Sequence, residues 1–400
     1  MQPVDEYLAE ILAAIVPLPP RELSLADAYG AVLADDVTAQ WPLPPFDNSA
    51  MDGYAVRAAE VAGAPLTLPV DGEIAAGDTT GRALAPGTCI RIMTGAPLPA
   101  GADAVVQFEL TDSGTAQVLI REPVEAGTHV RVRGGDAVPG DLLLARGTRI
   151  GAVALGLLAA AGLGTVLARP RPRVTVISTG DELIEPGQPL VPGQIWESNS
   201  VMLAAAARQA GCPVIRYPVV RDRAEAVLAA VQDAMASCDL LVTSGGVSMG
   251  GEHDVVKAAL SKLGTIGFRK VAMQPGMPQG FGLVGDGVPI FTLPGNPVSS
   301  YVSFQLFVAP ALDKFQDLEP KRMARRQAVL AGPARSPMDK RSFLRGILSQ
   351  QAGGADRVTP VSGQMSNQLA SLARANALII VPEAVTALPA GEVVDVLELP

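Results

Sequence analysis

Apolar residues at Val4, Leu8, Ile11, Leu12 and Ile15 recur at helical spacing, predicting an amphipathic first helix that ends at Pro17-Leu18-Pro19-Pro20. Residues 25–34 read as a second helix, and the Pro-rich Trp41-Pro42-Leu43-Pro44-Pro45-Phe46 reads as a domain crossing. From about 47 to 138 the pattern changes. Short apolar runs at 66–70, 89–93, 104–108, 117–120 and 128–133 alternate with Gly, Pro and Asp turns, predicting a β-rich insertion. Residues 139–170 return to a mixed pattern. Within them, residues 151–168 form an uncharged stretch between Arg149 and Arg169, marginal in length for a membrane span. Gly162 and Gly164 are expected to split it into a short buried helix and a strand.

From 171 to about 316 strands alternate with helices. Strands at 174–178, 214–219, 240–243 and 290–293 precede helices at 201–209, 224–235, 255–263 and 298–312. That alternation predicts a parallel sheet with right-handed crossovers. The tail from 318 to 400 reads as strands and turns. The expected fold is therefore a multidomain α/β and β protein with four parts. These are a mixed N-terminal domain (1–41 with 139–170), an inserted β-rich domain (42–138), a central α/β domain (171–317) and a C-terminal β domain (318–400).

The chain has 400 residues, 48% of them hydrophobic and 18% charged, enough to bury several cores. Its net charge of −9 argues against non-specific nucleic-acid binding. Cys89, Cys212 and Cys238 are far apart with no CxxC pair, which argues against a disulfide framework or thiolate zinc site. With only His129 and His253, a His-rich metal site is excluded. Asp5, Glu6 and Glu10 near the start do not fit a signal peptide, so a cytoplasmic protein with no membrane segment is expected.

The chemistry concentrates at strand ends. Ser244-Gly245-Gly246-Val247-Ser248 and Pro294-Gly295-Asn296-Pro297 each follow an apolar run, at 239–242 and 289–293, and each leads towards a helix. Small residues there let backbone approach a ligand closely, and free N–H groups favour an anion. Glu182, Asp222 and Asp254 lie at neighbouring turns, and three carboxylates beside phosphate-friendly turns suit an oxygen-ligated Mg²⁺. Asp222 and Asp254 also precede helical runs, where helix capping explains them equally well. In the β-rich region, Asn48-Ser49-Ala50-Met51-Asp52-Gly53 carries more polar detail than a linker requires. Arg131 and Arg133 are expected on one strand face, followed by Asp136, although such arginine pairs are more often simply solvated. No Ser-His-Asp triad, Walker loop or Rossmann GxGxxG is present.

These motifs give the chain a resemblance to the molybdopterin molybdenumtransferases, the MoeA family that includes the E domain of gephyrin. The residues that carry it are Phe46 to Ala55 (FDNSAMDGYA), Ile92 to Ala96 (IMTGA), Gly101 to Val106 (GADAVV), Ser178 to Leu183 (STGDEL), Ser244 to Ser248 (SGGVS) and Leu293 to Val298 (LPGNPV). They occur in order across nearly the whole chain. The resemblance implies an elongated four-domain homodimer with a small barrel-like C-terminal domain and a central domain of the molybdopterin-binding type. It implies insertion of molybdate into adenylylated molybdopterin, with loss of AMP and with Mg²⁺, to give molybdenum cofactor. Possible partners are the molybdopterin-adenylylating enzyme and apo-molybdoenzymes. The site would lie between subunits, the β-rich domain of one facing the α/β domain of the other.

Carried over by motif, Asp52, Thr94, Asp136, Asp222, Asp254 and Lys270 would be catalytic. Arg131, Ser244, Gly245, Gly246, Ser248, Pro294, Gly295, Asn296 and Ser366 would bind the cofactor precursor, and Glu182, Asp222 and Asp254 would hold the metal. One segment departs from the family: Gln274-Pro275-Gly276-Met277-Pro278 stands where Lys-Pro-Gly-Lys-Pro is common. Weaker molybdate capture is expected, with Lys270 carrying most of it. Two alternatives share parts of this pattern. A molybdopterin adenylyltransferase needs neither the β-rich insertion nor the C-terminal domain. A gephyrin-like scaffold has no need of so many carboxylates.

Overall fold

The computed structural model describes residues 1–245, 260–261, 263–320, 323–350 and 354–400. The chain divides into two compact units, one of Met1–Arg21, Gly30–Val32 and Ala168–Pro400, the other of Glu22–Tyr29 and Leu33–Leu167.

The first unit is built on a six-stranded sheet in the order Val214–Arg216, Val174–Ser178, Leu240–Ser244, Val288–Leu293, Pro278–Val284, Gly267–Lys270. Its first four strands are parallel. Val174–Ser178 and Leu240–Ser244 are buried throughout, which explains their largely apolar character. The last two strands are antiparallel additions that the alternation did not predict. Helices Asn199–Gln209 and Ala224–Met235 form close to their predicted positions. The predicted strand at 214–219 is only Val214–Arg216. The predicted helix at 255–263 falls largely outside the described residues.

The helix expected at 298–312 runs as Pro297–Ser303, a wider π turn at Phe304–Val308, and Ala309–Phe315. Pro310 lies just after the widened turn and has no N–H to return to the carbonyl four residues back. The first helix, Val4–Ala14, buries Val4, Tyr7 and Ile11, and Tyr7 packs edge-on against Phe307 with ring centroids 5.0 Å apart. That contact ties the N-terminus into the core of the α/β sheet.

The C-terminal strands Arg325–Leu330, Arg341–Ser349, Arg357–Pro360, Ala377–Val381 and Val393–Glu398 close into a barrel, because Arg341–Ser349 pairs with both Arg357–Pro360 and Ala377–Val381. Closure removes the exposed sheet edge. Leu330, Val358, Ile379 and Val396 fill its interior.

The second unit holds a five-stranded sheet in the order Ala104–Gln107, Gly53–Val56, Cys89–Ile92, Leu66–Ile74, Gln117–Ile120. Gly53 faces its neighbour so closely that a Cβ would lie 2.0 Å from the Val106 carbonyl oxygen. Residues 25–34 are not helical. Ser24 Oγ donates to Asp27 Oδ2 at 2.7 Å in a tight turn, and Gly30 has φ +77° before the strand Val32–Leu33. Local side-chain bonding and a left-handed glycine outcompete the helix. The expected strand at 128–133 shrinks to Val130–Arg131, between His129 at φ +54° and Gly134 at φ +73°.

Residues 151–168 split as expected, into helix Ala152–Ala160 and strand Thr165–Arg169, with Gly162 at φ +80° between. The helix is not buried: Leu158 alone is, and Val153 is 88% exposed. Among the described residues no helix is long and apolar enough to cross a membrane.

Candidate functional site

Register places the ends of three parallel strands side by side, with Ser178 opposite Ser244 and Ser244 opposite Leu293. Ligands of such sheets bind outside these carboxyl ends. Gly245 turns away at φ +102°, donating its N–H to the Leu293 carbonyl at 3.2 Å. A Cβ there would sit 2.7 Å from the Thr179 carbonyl oxygen, so glycine is required by both space and dihedral. Ser244 Oγ donates to the Pro294 carbonyl at 3.4 Å and lies 3.2 Å from Ser300 Oγ. Asn199 joins the two turns: its Nδ2 donates to Ser244 Oγ at 2.8 Å and to the Gly295 carbonyl at 2.7 Å. Asn296 precedes the next helix without a side-chain capping bond.

A cleft of about 650 Å³ opens over these turns. It gathers the predicted Glu182, Asp222, Gly245, Pro294, Gly295 and Asn296, with Ser244 beneath. Ser366 stands beside Asn367, which lines the cleft, and its carbonyl accepts the Val298 N–H at 3.0 Å. Lys270 is exposed on an edge strand opposite Pro278, another lining residue. Gly246, Ser248 and Asp254 lie outside the described residues.

The loop through Gln274 and Met277 is held from within. Gln279 Nε2 donates to the Gly276 carbonyl and to Ser303 Oγ, each at 2.6 Å, and Val271 N–H donates to the Met277 carbonyl at 2.8 Å.

Sequence reasoning missed Glu197, Asn199, Trp196 and Asn367, all of which line the cleft, and left Thr179 of the STGDEL motif without a role. Glu197 is a buried carboxylate whose oxygens accept from Ser178 Oγ at 2.8 Å and from the Ser200 N–H and hydroxyl at 2.6 Å each. It braces the strand–helix link rather than facing a ligand. The signal was present in Glu197-Ser198-Asn199-Ser200, a polar run richer than one helix start requires.

Glu182 and Asp222 supply the oxygen donors that Mg²⁺ prefers alongside water and phosphate. Among the described residues no group of three or more Asp, Glu, His or Cys forms a metal cluster. Thr179 Oγ1 and Asn199 Oδ1, both on cleft residues, are buried with no hydrogen-bond partner among the described residues. Buried polar atoms left unpaired are costly, so a polar ligand fits here.

In the second unit, Thr94 donates both its N–H and its hydroxyl to Asp52 Oδ1, each at 2.7 Å. The N–H first, then the hydroxyl, holds the Asp52 carboxyl below its ordinary range. Arg131 pairs with Asn48, and Ser49 N–H donates to the Ala96 carbonyl at 3.0 Å. Asp136 lies beyond the turn that follows this strand, its N–H bonded to the Leu43 carbonyl at 2.8 Å. Arg133 does not share the strand face with Arg131. It sits in the following turn, where its N–H donates to Asp47 Oδ1 at 2.6 Å.

Residues 2–162 match the MoeA N-terminal region (domain I and II), residues 175–314 a probable molybdopterin binding domain, and residues 327–399 the MoeA C-terminal region (domain IV). Molybdopterin molybdenumtransferase 2 of Mycobacterium tuberculosis is 45% identical over 412 residues, spanning all of both chains. The Bacillus subtilis molybdopterin molybdenumtransferase is 36% identical over 404 residues, covering 99% of this chain and 93% of that one. A crystal structure of a molybdopterin biosynthesis MoeA protein from Pyrococcus horikosii superposes with a TM-score of 0.77 at 32% identity, covering 99% of this chain and 98% of that one. Motifs, closed C-terminal barrel and full-length identity agree: the chain belongs to the MoeA family of molybdopterin molybdenumtransferases.

Proposed function

We propose that this chain inserts molybdenum from molybdate into adenylylated molybdopterin, releasing AMP, within the α/β cleft. The observation that carries the reading is the pair of glycine turns at adjacent strand ends, locked together by Asn199 beside Glu182 and Asp222. Small turns suit a phosphate, and the carboxylates suit the Mg²⁺ that accompanies it. Glu182 and Asp222, joined by Asp254 through the family motif, would hold Mg²⁺, which supplies positive charge against the phosphate oxygens.

The chain's own groups orient the substrate. Gly245 and Gly295 let backbone approach the phosphate, and Asn296 offers an uncapped amide to it. Lys270 is assigned to molybdate capture. Asp52, Thr94, Arg131, Asp136 and Ser366 keep their assignments through the motif resemblance. Asp52 is ionised at neutral pH, consistent with its two donors from Thr94.

A homodimer is part of the reading. Helix Ala152–Ala160 has no charged residue and leaves Val153 bare, as a surface that meets a second copy would. The free cysteines Cys89, Cys212 and Cys238 fit the reducing cytoplasm. Incubation with adenylylated molybdopterin, Mg²⁺ and molybdate tests the function: AMP should appear, and an apo-molybdoenzyme should regain activity. Failure of both with intact protein would refute it.

A further inference from the structure

Trp196 is one of two tryptophans in the chain and is 53% exposed, together with Ile195 at 55%. Large apolar side chains left open in a ligand cleft call for an occupant, since burial of an indole is strongly favourable. The strand Ile195–Trp196 is anchored by parallel pairing with Leu183–Ile184 and by the Ile195 N–H to the Glu182 carbonyl at 2.9 Å. The indole Nε1 donates to the Gln188 carbonyl at 2.8 Å, which satisfies the only polar atom of the ring and restrains its orientation. What remains is an apolar face. Trp196 lines the same cleft as Glu182, Asp222 and the two glycine turns, and Leu183 and Ile195 line it too. An apolar strip beside Glu182, Asp222 and the glycine turns matches a ligand with one flat ring system and one anionic end.

We propose that Trp196 is a stacking platform for a planar nitrogen heterocycle of the substrate, while the glycine turns receive its phosphate. This rests on the transferase reading, whose substrate carries two such rings, adenine and pterin. Either presents a π face to the indole, and stacking on an aromatic side chain tolerates both. The proposal makes Trp196 a residue that sets affinity and ring orientation without taking part in proton or metal chemistry.

A Trp41→Phe enzyme leaves Trp196 as its sole tryptophan. Titration of this enzyme with AMP in one arm and with free pterin in the other should quench its indole emission saturably in at least one arm. Calorimetry should then show that ligand bound roughly tenfold more weakly by Trp196→Ala and nearly normally by Trp196→Phe. Binding of AMP or pterin with unchanged emission, and with equal affinity in Trp196→Ala, would overturn stacking while leaving the transferase reading intact. If neither ligand binds the wild-type chain at all, the platform falls, while AMP release from adenylylated molybdopterin decides the transferase reading separately.

Discussion

At the scale of single residues, the site depends on one amide. Asn199 spends both N–H groups on Ser244 and Gly295, so Asn199→Ala removes two hydrogen bonds that fix the spacing of the turns. Each such bond contributes about 0.5–1.5 kcal/mol. A fall of roughly tenfold or more in kcat/KM is expected, with circular dichroism and oligomeric state unchanged. Unaltered kinetics would show that the turns hold their spacing alone. The glycines of those turns were legible in the sequence, because a small residue after an apolar run is itself a backbone signal. Asn199 went unread despite the polar run around it, since Asn at a helix start ordinarily reads as a cap.

Asp52 gives a test with a sign. Its carboxyl is held low by Thr94, so it stays ionised as pH falls until below its ordinary value of 3.8. Thr94→Val removes the hydroxyl donor and should move the acid limb of the kcat/KM profile to higher pH, leaving the neutral plateau flat. By the same linkage, any stability Asp52 contributes is present above its unfolded pKa and lost as pH drops through the folded one. An acid limb that stays in place would separate Asp52 from the reaction.

Among elements, the parallel strands were plain in the sequence because strands covered on both faces are continuously apolar. The antiparallel strand Pro278–Val284 went unpredicted, since Gly280 and Gly282 in its interior weaken the strand pattern. In the fold they are packing glycines: a Cβ on Gly280 would lie 2.9 Å from Thr292 Cβ, and one on Gly282 would lie 2.5 Å from Ile266 Cα. This strand matters to function, because it carries Pro278 to the cleft and pairs with the strand of Lys270. Gln274 and Met277 precede it with no cation between them. A cation about 5 Å from an anion, at an effective dielectric near 20, is worth on the order of 3 kcal/mol before desolvation. Met277→Lys should therefore lower the molybdate concentration for half-maximal insertion, and Lys270→Ala should raise it sharply. If Lys270→Ala leaves that concentration unchanged, the oxyanion is held elsewhere.

For the whole molecule, the C-terminal strands, the β-rich unit and the alternating strands and helices of the α/β sheet were visible as changes of hydrophobic period, whereas closure of the barrel came only from the family resemblance. The exposure of helix Ala152–Ala160 was not visible. An uncharged apolar helix reads as buried, and sequence cannot say whether its cover comes from the same chain or another. If the proposed homodimer uses this helix, introducing a charge with Val153→Glu should lower the mass seen in sedimentation or light scattering towards that of a monomer. An unchanged mass would move the interface off this helix. We propose that the cleft holding Glu182 and Asp222 performs molybdate-dependent release of AMP. The most direct test is single-turnover release from adenylylated molybdopterin by the wild-type chain and by Asp222→Asn, each with and without molybdate. Release by the wild type should require molybdate, and Asp222→Asn should lose at least about a hundredfold while AMP still binds. Release that ignores molybdate, or that persists undiminished in Asp222→Asn, would contradict it.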